Sequence, residues 1–196
     1  MRSNQTPLPQ TLPGSLYKWH FPPELLKVIK KNPAVGERWL SMARLKPGDA
    51  APEFQLSDQH GQTVRLADFG GGKLLIYFYP KADTPGCIRQ ACSIRDAREE
   101  FADLGLAVVG ISPDQPARQQ KFDDKYGLAF PLLADPDHRV AEAYGVWAEK
   151  TSYGKKSLGI IRSSFLIDAA GKIVAAWYGV KPEDTVPKAR KALGRD

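Results

Sequence analysis

The chain has 196 residues, 42% of them hydrophobic, and a formal net charge of +6. This is enough for one substantial core, and two cysteines are too few for the disulfide framework of a small secreted protein. No apolar run approaches the ~18–20 residues that cross a bilayer, and no signal-peptide pattern is present, so we expect a soluble, cytoplasmic protein without a membrane partner.

The positive charge is concentrated at the N-terminal end. Residues 1–48 hold eight Lys or Arg and two Glu, whereas the rest of the chain is balanced. Such an excess could bind nucleic acid or anionic lipid, but we favour a solvated arm or a helix packed on the domain, with no specific nucleic-acid partner. We therefore predict a basic N-terminal extension, 1–44, with short helices at Glu24–Lys31 and Glu37–Leu45, followed by one domain, 45–196.

In the domain, strand and helix patterns alternate. The predicted strands are apolar or alternating runs bounded by turn residues: Glu53–Leu56, Thr63–Leu66, Leu74–Tyr79, Ala107–Ser112, Phe130–Leu133, Ser164–Asp168 and Lys172–Tyr178. The predicted helices are Cys87–Leu104, Gln115–Tyr126, His138–Tyr144 and Glu183–Leu193. The alternation predicts an α/β fold with a mostly parallel central sheet flanked by helices, and Ala169-Ala170-Gly171 predicts an antiparallel hairpin at one edge. The resulting central mixed sheet is compatible with a thioredoxin-like fold.

Both cysteines follow the buried strand Leu74–Tyr79. Pro80 ends the strand, turn residues follow, and Cys87 falls in the first turn of the next helix. Unpaired backbone N–H groups and the helix dipole stabilise a thiolate there. A cysteine at such a junction is often a small buried hydrophobe, but Thr84, Pro80 and Cys92 nearby favour a nucleophile.

The spacing of these residues resembles a known family. Pro80-x-x-x-Thr84-x-x-Cys87 is similar to the active-site motif of the peroxiredoxins, and the run from Tyr79 to Cys92 resembles their Q subfamily, the bacterioferritin comigratory proteins. Four further segments stand in the order found in that family: Pro47–Phe54, Gly110–Asp114, Gly145–Trp147 and Arg162–Asp168. The resemblance covers roughly residues 45–193.

The resemblance implies a thioredoxin-like fold and a thioredoxin-dependent peroxidase acting on hydrogen peroxide and organic hydroperoxides. Cys87 would attack the peroxide and become a sulfenic acid, and Cys92 would resolve it as an intramolecular disulfide. The Thr84 hydroxyl, the Cys87 backbone N–H and the Arg162 guanidinium would donate to the peroxide oxygens, while Pro80 would shield the sulfur from water. A monomer is expected, with a dimer as the alternative.

The chain departs from the subfamily at two places. Gln90 stands where glutamate is usual, and residues 1–44 have no counterpart. If that glutamate orients the arginine, the neutral amide would do so with less charge.

Two other function classes stay open on the residues alone. A disulfide oxidoreductase would favour Cys-x-x-Cys over the four-residue gap seen here, and a redox sensor would signal through the basic extension. Neither a metal site nor a dinucleotide motif is expected, because His20, His60 and His138 are scattered and Cys-x4-Cys lacks zinc spacing. We therefore predict no cofactor and a protein or small thiol as reductant.

Overall fold

The computed structural model describes residues 44–152 and 155–195. Apart from Arg44 and Leu45, the predicted basic extension and its two short helices lie outside this range. Within it, none of the helices has the length and apolar content needed to span a membrane.

The described residues form nine strands and five α-helices. The strands are β1 (Gln55–Ser57), β2 (Thr63–Arg65), β3 (Lys73–Phe78), β4 (Leu106–Ser112), β5 (Leu132–Ala134), β6 (Trp147–Ser152), β7 (Lys155–Ile160), β8 (Ser163–Ile167) and β9 (Ile173–Tyr178). The α-helices are α1 (Pro85–Asp96), α2 (Arg98–Asp103), α3 (Pro116–Tyr126), α4 (Arg139–Ala143) and α5 (Thr185–Ala192). Short 3-10 turns cover Leu66–Phe69 and Pro182–Asp184.

Seven strands make one sheet in the order β2-β1-β5-β4-β3-β8-β9, and β6 pairs with β7 as a separate hairpin. Among the described strands of the sheet, the β3–β4 and β4–β5 pairs are parallel and the other pairs are antiparallel. This confirms the predicted mixed sheet and edge hairpin, but "mostly parallel" was wrong. Parallel pairing needs a crossover, which α1–α2 supply between β3 and β4 and α3 supplies between β4 and β5, whereas only residues 168–172 separate β8 from β9.

One further prediction was wrong in detail, and one hairpin was missed. The helix predicted over Cys87–Leu104 is divided at Ala97, whose ψ of 1° ends α1 before α2 begins. Alanine is a strong helix former, so the sequence carries no sign of this break. The β6–β7 hairpin was missed because it is rich in Lys, Ser and Thr and shows no apolar alternation.

The core lies on both faces of β3, in which Leu74–Phe78 are buried. Leu75 and Tyr77 point to the face covered by α1, α2, α3 and α5, where they join one apolar cluster with Cys87. Leu74, Ile76 and Phe78 point to the opposite face, where they pack in a second cluster with α4. Because β3 is buried on both faces and α1 follows it after a short loop, the core fixes the position of the first turn of α1.

The contact between Gly110 and Tyr77 leads to a stability prediction. A Cβ atom at Gly110 would lie 2.7 Å from the phenol oxygen of the fully buried Tyr77. Gly110→Ala should therefore lower the free energy of unfolding by about 1–3 kcal/mol, as overpacking does, measured by denaturant titration. Gly72→Ala is the control, because its Cβ would meet its nearest neighbour at an ordinary 3.7 Å. Equal effects of the two substitutions would contradict this account.

Candidate active site

Cys87 lies in the first turn of α1, where no side chain that the structure describes caps the backbone N–H groups. Thr84 is the N-cap residue, with φ −103° and ψ 151°, and Pro85 occupies the first helical position. The Thr84 hydroxyl donates to the Lys81 carbonyl at 3.0 Å, and in the described structure no side chain caps this helix. The N–H of Cys87, the third helical residue, has no intrahelical acceptor, so it is available to a ligand beside the sulfur.

The loop before α1 is held by α3 and the chain leading to it. The Ala82 N–H donates to the Asp114 carboxylate at 2.6 Å, and the Ala82 carbonyl accepts from Arg118 at 3.1 Å. Asp83 has a φ of 61°, and its carboxylate pairs with Lys125 at 3.0 Å. Hydrogen bonding to Lys125 lowers the pKa of Asp83, so this anchor is ionised at neutral pH. The loop carrying Pro80 and Thr84 is thereby fixed against the sheet.

The topology brings Arg162 to the same place. In the antiparallel pair β3–β8, Ser163 is opposite Phe78, the last residue of β3. Arg162, which directly precedes Ser163, therefore lies next to the junction between β3 and α1. The strand-end position predicted for Arg162 is the one that the structure shows.

The Arg162 guanidinium contacts two groups of α1. Its Nη2 atom donates to the Cys87 sulfur at 3.3 Å, and its Nη1 atom donates to Gln90 Oε1. Cys87 and Gln90 are both buried, with exposed fractions of 1% and 0%. The guanidinium is always protonated, so it places a permanent positive charge beside the Cys87 sulfur.

The Gln90 side chain is itself positioned by a hydrogen bond to the C-terminal part of the chain. Its Nε2 atom donates to Thr185 Oγ1 at 2.8 Å, and Thr185 Oγ1 lies 3.4 Å from Ser164 Oγ. All three side chains are buried. The Gln90 amide therefore links Arg162 to the first residue of α5.

Gly86 gives Arg162 the room to reach the sulfur. A Cβ atom at this position would lie 3.2 Å from Arg162 Nη2 and 3.3 Å from Pro182 Cγ. The sequence marked Gly86 only as a turn residue, and this role was missed. A glycine directly before a helical cysteine was the available signal, although it does not reveal which side chain fills the space.

A neutral tyrosine lies in the core cluster that contains Cys87. Tyr77 is fully buried, and its hydroxyl has no hydrogen-bond partner among the described residues. Burial raises the pKa of Tyr77 well above its ordinary value, so the phenol stays uncharged. It therefore adds bulk but no charge to this part of the core.

Cys92 lies further along α1 and is half-buried against the same cluster. Both cysteines are free thiols. Five residues of ideal helix separate two Cα atoms by about 8.7 Å, beyond the ~7 Å that a disulfide tolerates. The structure thus brings Cys87 and Arg162 together, with Thr84 and Pro80 on the adjoining loop, but it keeps Cys92 apart. The described residues include no cluster of three His, Cys, Asp or Glu side chains suited to a metal.

Comparison with known proteins gives consistent results. Residues 47–176 match the AhpC/TSA family. The chain is 54% identical over 132 residues to peroxiredoxin Bcp of Escherichia coli, covering 67% of this chain and 85% of that protein. It is 44% identical over 146 residues to peroxiredoxin Bcp of Bacillus subtilis, covering 74% and 93%. The solved bacterioferritin comigratory protein of Xanthomonas campestris superposes with a TM-score of 0.69 at 36% identity, covering 74% of this chain and 98% of that one.

The space at Gly86 can be tested through thiol reactivity. Gly86→Ala should push the guanidinium away from the sulfur and slow alkylation of Cys87 by iodoacetamide at neutral pH about tenfold, because a charge-assisted hydrogen bond is weakened. The rate would be measured in a Cys92→Ser chain, so that Cys87 is the single thiol. Since Gly→Ala inside a helix is otherwise stabilising, thermal stability should not fall in parallel. Gly72→Ala is the control, and an unchanged rate in Gly86→Ala would contradict the proposed contact.

Proposed function

Because the chain belongs to the AhpC/TSA family and, within it, to the peroxiredoxins of the Bcp and Q type, we propose that its peroxidase chemistry runs through Cys87. In this proposal Cys87 reduces hydrogen peroxide and organic hydroperoxides, Cys92 resolves the oxidised sulfur, and thioredoxin restores both thiols. The observation that carries the proposal is the 3.3 Å contact between Arg162 and a cysteine in the first turn of a helix.

In the first step, the Cys87 thiolate attacks one oxygen of the peroxide and the O–O bond breaks. The sulfur becomes a sulfenic acid, and the other oxygen leaves as water or an alcohol after taking up a proton. Arg162 and the Cys87 N–H donate to the oxygens as negative charge moves onto them. Pro80, which is half-buried and has no N–H, limits the access of water to the sulfur.

For Thr84 we propose an acceptor role in place of the donor role expected from the sequence. Its hydroxyl proton is directed to the Lys81 carbonyl, so its oxygen is left as an acceptor. An organic hydroperoxide carries one O–H group and hydrogen peroxide carries two, and the Thr84 oxygen can accept a hydrogen bond from one of them. Substrate would then be oriented by one acceptor and two donors.

In the second step, the Cys92 thiol attacks the Cys87 sulfenic acid, forming a disulfide and releasing water. The intact α1 cannot hold this bond, so its first turn or two must unwind. Each backbone hydrogen bond lost costs a net ~0.5–1.5 kcal/mol. A disulfide formed at this cost is more easily reduced than a structural one, which suits a bond that is broken in every cycle.

In the third step, a dithiol protein of the thioredoxin type reduces the disulfide by thiol–disulfide exchange. Organic hydroperoxides are supported as substrates by the X. campestris relative, whose structure is described in terms of alkyl peroxide reduction. The enzyme would act as a cytoplasmic monomer in redox homeostasis, with residues 1–44 as an extension outside the catalytic domain. Family membership disfavours the disulfide oxidoreductase and sensor alternatives.

The complete cycle is tested by NADPH consumption with thioredoxin, thioredoxin reductase and a panel of hydroperoxides. We expect turnover that depends on all components, and stopped-flow oxidation of Cys87 many orders of magnitude faster than that of a free thiol at the same pH. Oxidation at the rate of a free thiol would contradict the peroxidase mechanism. Rapid oxidation without turnover would instead contradict thioredoxin as the reductant.

The two cysteines should be separable by substitution. Cys87→Ser should abolish peroxide reduction, because a serine hydroxyl stays protonated at this position. Cys92→Ser should consume one equivalent of peroxide and then stop, with the sulfenic acid persisting or over-oxidising to the sulfinic acid. Mass spectrometry of the oxidised wild type should show an intramolecular disulfide. A disulfide-linked dimer as the main product would argue against Cys92 of the same chain as the partner.

Unwinding of α1 should be visible by hydrogen exchange. On oxidation, amide exchange across residues 84–94 should rise, while β3 and β4 stay protected. The Cys92→Ser chain is the matched control, since it can be oxidised but cannot form the disulfide, and its exchange should stay close to that of the reduced protein. Unchanged exchange in the oxidised wild type would exclude this conformational step.

A further inference from the structure

We propose that Thr185 is a positioning residue: its hydroxyl accepts the Gln90 side-chain N–H and thereby keeps Arg162 on the Cys87 sulfur. The inference rests on the proposed function of Cys87 and extends it to a residue in the C-terminal helix. None of the motifs that define the site includes Thr185.

The contacts form a continuous chain across three segments, in which Arg162 is half-buried and the other residues are buried. Arg162 precedes β8, Cys87 and Gln90 lie on α1, and Thr185 begins α5. The 2.8 Å bond from Gln90 Nε2 to Thr185 Oγ1 joins residues 95 positions apart in the sequence. Thr185 and Gln90 each have an exposed fraction of 0%.

The direction of the Gln90 amide follows from the chemistry of its two neighbours. Arginine can only donate hydrogen bonds, so the amide must turn its oxygen towards Arg162. Its NH₂ group then points the other way and needs an acceptor, because buried N–H groups are unfavourable without one. Thr185 Oγ1 is that acceptor. It can accept from Gln90 and still place its own proton towards Ser164 Oγ at 3.4 Å.

Loss of the Thr185 hydroxyl would change the position of Arg162 relative to the Cys87 sulfur. With valine at position 185, which has nearly the same shape, the Gln90 NH₂ would be buried without a partner. The amide would then no longer be held in the orientation that keeps its oxygen on Arg162. A guanidinium without this second anchor is free to move away from Cys87.

A glutamate at position 90 would behave differently. Both oxygens of a carboxylate accept, so Arg162 is satisfied in either orientation and no N–H needs Thr185. The dependence on Thr185 should therefore be a property of the amide. A purely structural role of Thr185 in starting α5 would be felt equally with glutamine or glutamate at position 90.

The test uses full-length chains carrying Cys92→Ser, so that Cys87 is the single thiol. Two quantities are measured: the second-order rate constant with hydrogen peroxide, and the pH midpoint of alkylation by iodoacetamide. Thr185→Val should lower the rate constant about tenfold and raise the midpoint, and Thr185→Ser should restore both. In a Gln90→Glu chain, the added Thr185→Val should change the rate constant less than about twofold. If Thr185→Val does not fold, Thr185→Ala gives the same comparison.

Equal losses in the parent and the Gln90→Glu chains, or a serine variant as slow as the valine variant, would overturn the positioning role. Failure of the proposed function gives a different result. In that case the parent chain reacts with peroxide no faster than a free thiol. The alkylation midpoints of the same variants would still show whether Thr185 acts on Cys87 through Arg162.

Discussion

The structure of the site depends on one guanidinium group that must reach a cysteine and an amide at the same time. Arg162 is 75 residues from Cys87 in the sequence, and the sheet brings them together. Because β8 runs antiparallel to β3, its first residue lies opposite the last residue of β3, at the end from which α1 emerges. If β8 ran parallel to β3, Arg162 would lie at the opposite end of β3, away from α1. The contact between Arg162 and Cys87 therefore depends on the direction of β8. It also depends on glycine at position 86, because a Cβ atom there would lie too close to the guanidinium.

The Arg162 guanidinium is the positive charge in contact with the Cys87 sulfur. Among the described residues that accept hydrogen bonds from the Arg162 side chain, Gln90 offers a neutral amide and Cys87 offers a sulfur that can become negative. A carboxylate at position 90 would form an ion pair with Arg162 and partly neutralise its charge, whereas the neutral amide does not. Tyr77 adds no competing charge, since burial raises its pKa and keeps it as a phenol. The positive end of α1 acts in the same direction as the guanidinium.

Sequence reasoning was most successful where the signal was local. The apolar run before Pro80 and the turn residues after it placed Cys87 at a strand–helix junction, and the apolar residues after Arg162 placed that arginine at a strand end. It failed where the cause was a contact between distant segments. Gly86 is small because of Arg162 and Pro182, and Thr185 matters because of Gln90, 95 residues away. Ala97 ends α1 although its own propensity favours a helix, and the polar β6–β7 hairpin is marked by no apolar pattern.

The interruption at Ala97 limits how far along the chain the proposed unwinding of α1 can extend. A continuous helix from Pro85 to Asp103 would lose its turns in a graded way, and loosening at the sulfur could spread towards Phe101 in the core. Division at Ala97 leaves α1 as a separate 12-residue segment, a length that is marginal for an isolated helix and depends on tertiary packing. Phe101, fully buried, stays with α2. In the proposed cycle, unwinding that starts at Cys87 would therefore stop at Ala97, before it reaches Phe101 and the helix that carries it.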